Sequence, residues 1–156
     1  MINESIWNGE SNGSACSISH YMKFVGDHKK LNLSIDINQR PSEIDNIIDA
    51  IHILVKNKKD AWIMVDSKCY WLNEKNVFWD RAYDGWMIYI PHIILPELIP
   101  EAAKILPVMN EGNQKGTIRI STCDIFDGSK KEHIEKANDI EIRLLDIGML
   151  PLMTEL

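Results

Sequence analysis

The segment LNLSIDIN, 31–38, alternates without a fault: Leu31, Leu33, Ile35 and Ile37 fall on one side, Asn32, Ser34 and Asp36 on the other. A period of two marks a strand with one wet face. Just before it, SISHYMKFV places Ile18, His20, Met22 and Phe24 together, and the linker Gly26 to Lys30 is short enough to make the two runs an antiparallel hairpin. Upstream, SNGS at 11–14 reads as a flexible loop.

After Pro41 the period changes. Ile44, Ile47, Ile48, Ile51, Leu54 and Val55 keep helical spacing, Ser42 can cap the helix, and Lys56, Lys58 and Lys59 suit the negative pole of its dipole. His52 lies at the edge of that stripe and reads as a packed residue. AWIMVD and KCYWL predict two strands around Asp66 and Ser67. NEKNVFWDRAYDG has no clean period and reads as an exposed connection, whereas GWMIYIP is a strand closed by Pro91. Between Pro100 and Pro107, EAAKIL predicts a short helix with Pro100 in its first turn. KGTIRIS, behind the turn Glu111-Gly112-Asn113, predicts one more strand.

ANDIEIRLLDIG, 137–148, fits two periods. As a strand it sets Glu141 beside Arg143 on one face. As a helix it gains a capping box, Ser129-x-x-Glu132, and a stop at Gly148. At about 100° per residue Ile134, Ala137, Ile140, Leu144, Leu145 and Ile147 fall within an arc of roughly 160°. A helix from about 130 to 147 therefore explains more residues. It turns Glu141 into the apolar arc and leaves Ile142 and Arg143 outside, free to meet solvent or a partner. A buried carboxylate needs a partner, and Arg119 on the neighbouring strand is the candidate.

The order of elements predicts an α+β fold: a mainly antiparallel sheet with two main helices and one short helix packed on one face. With 156 residues, 45% of them hydrophobic and five Trp, the whole of 1–156 reads as one domain.

Charge and chemistry narrow the function. The net charge is −6, and it is uneven: residues 1–78 carry 9 basic and 10 acidic side chains, residues 79–156 carry 8 and 13. Phosphate backbones repel such a surface, so direct nucleic-acid binding is disfavoured and a basic protein partner is attracted. No apolar run reaches the roughly 20 residues that cross a bilayer, and MINESIWNGE lacks the pattern of a signal peptide. A cytoplasmic protein without membrane contact is the expectation. Cys16, Cys69 and Cys123 form no C-x-x-C or Cys/His cluster and read as buried free thiols. The histidines His20, His28, His52, His92 and His133 show no metal-binding spacing, and the eight glycines form no phosphate-cradling loop, so no metal and no cofactor is expected. Cys123 with Asp124 and His133 is the best local candidate for a nucleophilic site, but it lies in no recognisable motif. Trp71, Phe78, Trp79, Tyr83 and Trp86 read mostly as core and sheet-edge residues. Beside Glu74, Asp80 and Asp84 they also suit a protein interface.

From about Asp84 to Leu156 the chain resembles the immunity protein 52 family of bacterial polymorphic-toxin systems. The resemblance rests on GWMIYIP, PEAAKILPVMNEG, KGTIRIS and KEHIEKANDIEIRLLDIGMLP, in that order and at those separations. It covers roughly the second half. It implies a non-enzymatic cytoplasmic antidote that binds a cognate toxin, usually one with a restriction-endonuclease-like nuclease domain. The family supplies no catalytic residues to carry over.

The expected contacts are Asp80, Asp84, Trp86, Glu111, Asp124 and Asp127, acidic or aromatic residues in predicted loops or at strand ends of the acidic half. From other classes stand a Cys123-centred hydrolase and a homo-oligomer, a homodimer at its simplest, joined through sheet edges and Trp-rich loops.

Overall fold

The alternating runs of the first 37 residues pair as strands. A computed structural model describes residues 2–11, 16–25, 28–37, 44–58, 60–67 and 70–156, with side chains at 4–11, 34–35 and throughout the segments from 44 onward. The chain divides into two compact units, Met1–Ser42 and Glu43–Leu156.

In the first unit β1 (Ile2–Trp7), β2 (Cys16–Val25) and β3 (His28–Ile37) form an antiparallel sheet in the order β1-β2-β3. The expected hairpin is β2–β3, and with Val25 opposite His28 it closes more tightly than the linker Gly26 to Lys30 suggested. β1 was not anticipated, because Glu4 interrupts the apolar set Ile2 and Ile6 and blurs the period. The register sets Ile6 opposite Ile18 and Ile18 opposite Ile35, and both Ile6 and Ile35 are exposed. The loop residues 12–14, the Ser42 cap, the thiols of Cys16 and Cys69, and the facing of the β2 side chains and of most on β3 lie outside the described residues.

The second unit is α+β. Its antiparallel sheet runs β4-β5-β7-β6, from β4 (Ile63–Val65), β5 (Met87–Ile90), β6 (Lys104–Asn110) and β7 (Asn113–Ile120), with helices α1 (Ile44–Val55) and α2 (Lys131–Asp146). The strands therefore form two sheets in two units, where one sheet was expected. α1 follows its apolar stripe in part: Ile51 and Val55 are buried and Ile44, Ile47 and Ile48 half-buried, whereas Leu54 is exposed, and His52 is exposed and not packed as expected.

β5 is buried along its whole length, which is why MIYI is continuously apolar rather than alternating. Met87 and Tyr89 join a core cluster with Ile51 and Val55 of α1 and Ala137 of α2, whereas Ile88 and Ile90 join one with Ile140 and Leu144 of α2. Successive strand residues point to opposite faces. This division departs from the expected single covered face.

Two segments differ in kind from expectation. EAAKIL is no helix: KIL opens β6, and the helical turn nearby is a short 3-10 turn, Pro96–Leu98. The reason is the hairpin behind it. Asn110 pairs with Asn113, and the two residues between them, Glu111 and Gly112, have φ of 50° and 80°. Two central residues with positive φ make the turn that matches strand twist, so the chain before it must be a strand too. Pro107 fits because β6 is an edge strand. KCYWL is likewise no strand over its described part; from Tyr70 the chain turns.

α2 confirms the helical reading of ANDIEIRLLDIG. Its end is a left-handed cap at Gly148 (φ 71°), with Met149 N–H donating to Leu144 O at 2.8 Å and Gly148 N–H to Leu145 O at 2.9 Å. Its start differs from the expected capping box. Lys130 is the N-cap with no side-chain cap, and Ser129 instead donates its hydroxyl to Asp127 Oδ1 at 2.6 Å. Arg143 is not free either: its guanidinium grips the Glu101 carboxylate, Nη2 to Oε1 at 2.6 Å and Nε to Oε1 at 3.0 Å. Each charge pulls the other's titration outward, Glu101 down and Arg143 up, chiefly through this hydrogen bond. Ile142 stays exposed.

Among the described residues, no helix is long and apolar enough to cross a membrane.

Candidate functional site

The aperiodic connection from Tyr70 to Asp84 is organised around a carboxylate it does not contain. Glu141, wholly buried on α2, accepts from three groups of that connection. Its Oε1 takes the Tyr70 hydroxyl and the Asp84 N–H, each at 3.0 Å, and its Oε2 takes the Val77 N–H at 2.8 Å. The two ends and the middle of the connection thus hang from one side chain.

Local geometry completes the hold. Lys75 N–H donates to Tyr70 O at 3.0 Å and Glu74 N–H to Trp71 O at 2.9 Å, closing a turn with Glu74 in the left-handed region at φ 54°. Trp71 N–H donates to Asp66 Oδ2 at 3.0 Å, and the Trp71 ring stacks on Tyr83 with centroids 5.8 Å apart. At the far end the C-terminal segment ties on: Ala82 N–H donates to Pro151 O at 2.9 Å, Met153 N–H to Asp80 O at 2.8 Å, and Arg81 Nη1 to Leu150 O at 2.6 Å.

Beside the exposed Asn73, Glu74 and Lys75, this framework presents four apolar side chains outward. Trp79 is 84% exposed, Leu72 69%, and Trp71 and Val77 39% each. Two Trp, a Leu and a Val within nine residues, on a backbone fixed from below, have the composition of an interface anchor rather than of a solvated loop.

Beneath lies a charged cluster. Arg119, on β7, pairs with Asp84, and both are wholly buried. Burial lowers the Arg119 guanidinium to about 9, against the opposing pull of Glu141 and Tyr70. Burial pushes Glu141 up to about 7, held back by the Val77 N–H, the Tyr70 hydroxyl and the Arg119 charge. The Tyr70 hydroxyl is driven well above its usual range by burial and then by Glu141, so it stays a donor. The expected Glu141–Arg119 pairing is thus indirect: Arg119 acts on Glu141 through its field, and its ion pair is with Asp84.

The structure scatters the six expected contacts. Asp84 and Trp86 are corrected: both are buried, Asp84 against Arg119 and Trp86 with its indole N–H donating to Thr122 O at 3.2 Å. Neither reaches a surface. Asp80 is half-buried beside Trp79, Glu111 is exposed at the tip of the β6–β7 hairpin, and Asp124 (exposed) and Asp127 (half-buried) lie between β7 and α2. They occupy three separate connections. Cys123 is exposed, contrary to the buried thiol expected, whereas His133 is buried and its Nδ1 accepts the Asp127 N–H at 2.9 Å. Among the described residues no group of three or more His, Cys, Asp or Glu could hold a metal ion. A recess of about 250 Å³ is lined by Trp62, Arg81, His92 and Met149 among others.

No family model matches the chain, and no curated protein does.

Trp79 and Leu72 are what sequence reasoning missed. Most of these aromatics are expected in the core, and the available signal is the lack of period itself: apolar residues that keep neither 2 nor 3.6 cannot all face one core.

Proposed function

We propose that the chain is an immunity protein that binds a cognate toxin, a restriction-endonuclease-like nuclease, and blocks its active or DNA-binding site stoichiometrically. The single observation that carries a binding role is the exposed set Trp79, Leu72, Trp71 and Val77 on a connection pinned by buried Glu141. Preorganised aromatic anchors bind without a large ordering cost. The nuclease as partner rests on the resemblance to the immunity protein 52 family, whose four segments supply β5, β6, β7 and α2. Charge supports the same reading: a nuclease must offer a basic groove to DNA, and a chain of net −6 approaches it with fast, salt-sensitive association. Asp80, Glu111, Asp124 and Asp127 remain as the acidic contacts of this proposal. Asp84 and Trp86 drop out.

The test is titration calorimetry against the nuclease domain encoded by the neighbouring gene. Trp79→Ala should weaken binding by about tenfold or more while secondary structure is unchanged. Reversing Asp80, Glu111 and Asp124 together should flatten the salt dependence. No binding by wild type would sink the partner; unchanged affinity in Trp79→Ala and Leu72→Ser would move the anchor elsewhere. Alkylating the exposed Cys123 separates the hydrolase alternative, because a stoichiometric inhibitor keeps its protection.

A further inference from the structure

Resting on the reading of the Trp71 to Trp79 surface as the binding site, the next question is what holds that surface in place. Its cover side is a closed charge cluster. Among the described residues the wholly buried carboxyls and guanidiniums are Glu141, Asp84 and Arg119, two acids and one base. Among the described residues the buried His133 has its Nδ1 engaged by the Asp127 N–H at 2.9 Å, away from the cluster. With both acids ionised the cluster would hold an uncompensated negative charge in a low-dielectric interior, which is strongly disfavoured. We infer that the closed connection keeps one proton in the Glu141–Asp84–Arg119 cluster, and that losing it loosens the connection and makes the Trp79 surface proton-sensitive.

The geometry assigns the proton. Asp84 pairs directly with Arg119, which keeps it ionised, so the proton falls to Glu141. Burial raising Glu141 to about 7 points the same way. The Asn138 amide decides which form is accommodated, and it is the reversed amide that pairs both of its ends. Protonated Glu141 can donate through Oε1 to the Tyr70 oxygen at 3.0 Å, with the Tyr70 hydroxyl turning to Asn138 Oδ1 at 2.7 Å. With the Asn138 amide reversed, its nitrogen donates to Tyr70 and, at 2.9 Å, to Lys75 O, and Tyr70 then donates to ionised Glu141. Asp66 is the remaining charge that acts on Tyr70, and it adds to the negative side. Ionised Glu141 is drawn to water. Tyr70, Val77 and Asp84 are the groups bonded to it, so hydration must part it from them.

The sign follows from linkage. A carboxyl that titrates higher when covered than when hydrated favours the covered form at low pH, and that preference is lost as pH rises through its covered value. The experiment uses the free protein: NMR amide exchange of Val77 and Asp84, corrected for intrinsic rates, from about pH 5.5 to 8.5. Protection should fall by about tenfold or more in wild type. It should stay flat in Glu141→Gln and fall as in wild type in His133→Asn. A flat wild-type profile, or one that persists in Glu141→Gln, overturns the inference. Should Glu141→Gln not fold, the carboxyl carbon of Glu141 in wild type decides, because an inflection near neutrality supports the inference and one below about pH 5 sinks it. No toxin takes part, so failure here leaves the binding proposal standing.

Discussion

Gly85 works under two constraints at once. Its φ is +53°, and a Cβ there would lie 2.8 Å from Asp66 Cβ and 2.9 Å from Val65 O. The close approach lets Trp86 N–H reach Val65 O at 2.8 Å and so joins β4 to β5. Gly85→Ala adds left-handed strain to a backbone clash, and it should cost about 2 to 4 kcal/mol in urea unfolding. Asp84, its neighbour, answers to a different rule. Its carboxylate and the Arg119 guanidinium have no partner apart from each other among the described residues. Asp84→Ala should destabilise by about 3 to 5 kcal/mol, because a guanidinium is left buried and alone. Adding Arg119→Met to it should restore part of that loss. An equal or larger loss in the double variant would show that the pair itself is the source of stability.

At the scale of elements, legibility followed periodicity. α1 and α2 were readable because Ile44 to Val55 and Ile134 to Ile147 keep one apolar face, and the β2–β3 pair was readable because it alternates. β6 was not. Glu101, Ala102 and Ala103 favour a helix by propensity, and the contrary signal lay seven residues on, in a turn that reads as a turn only once both of its φ values are known. The hairpin also carries a testable defect. Glu111 occupies a left-handed position that Asn fills more readily. Glu111→Asn should therefore raise stability by about 0.5 to 1 kcal/mol, seen as a higher melting temperature. A lower one would mean that the Glu111 side chain is engaged in a way its exposure does not suggest.

For the whole molecule, the candidate site was legible only as composition. The Trp-rich stretch announced aromatics without saying which were outside. That depends on Glu141, fifty-seven residues beyond Asp84, and contact over such a separation leaves no local pattern. Trp86, inside the apolar run GWMIYIP, went to the core; Trp79, followed by Asp80 and Arg81 in a stretch without a sustained period, went to solvent. The two should respond differently to truncation. Trp86→Ala should cost about 3 to 5 kcal/mol of stability, and Trp79→Ala less than about 0.5, with circular dichroism melts as the measure.

The tie between Met153 and Asp80 also bears on handling. Leu152 bridges Arg81, and Met153 bonds the residue next to Trp79. A fluorophore carried at position 153 therefore sits on backbone tied to that of the exposed indole, and its signal should change when a partner seats on Trp79.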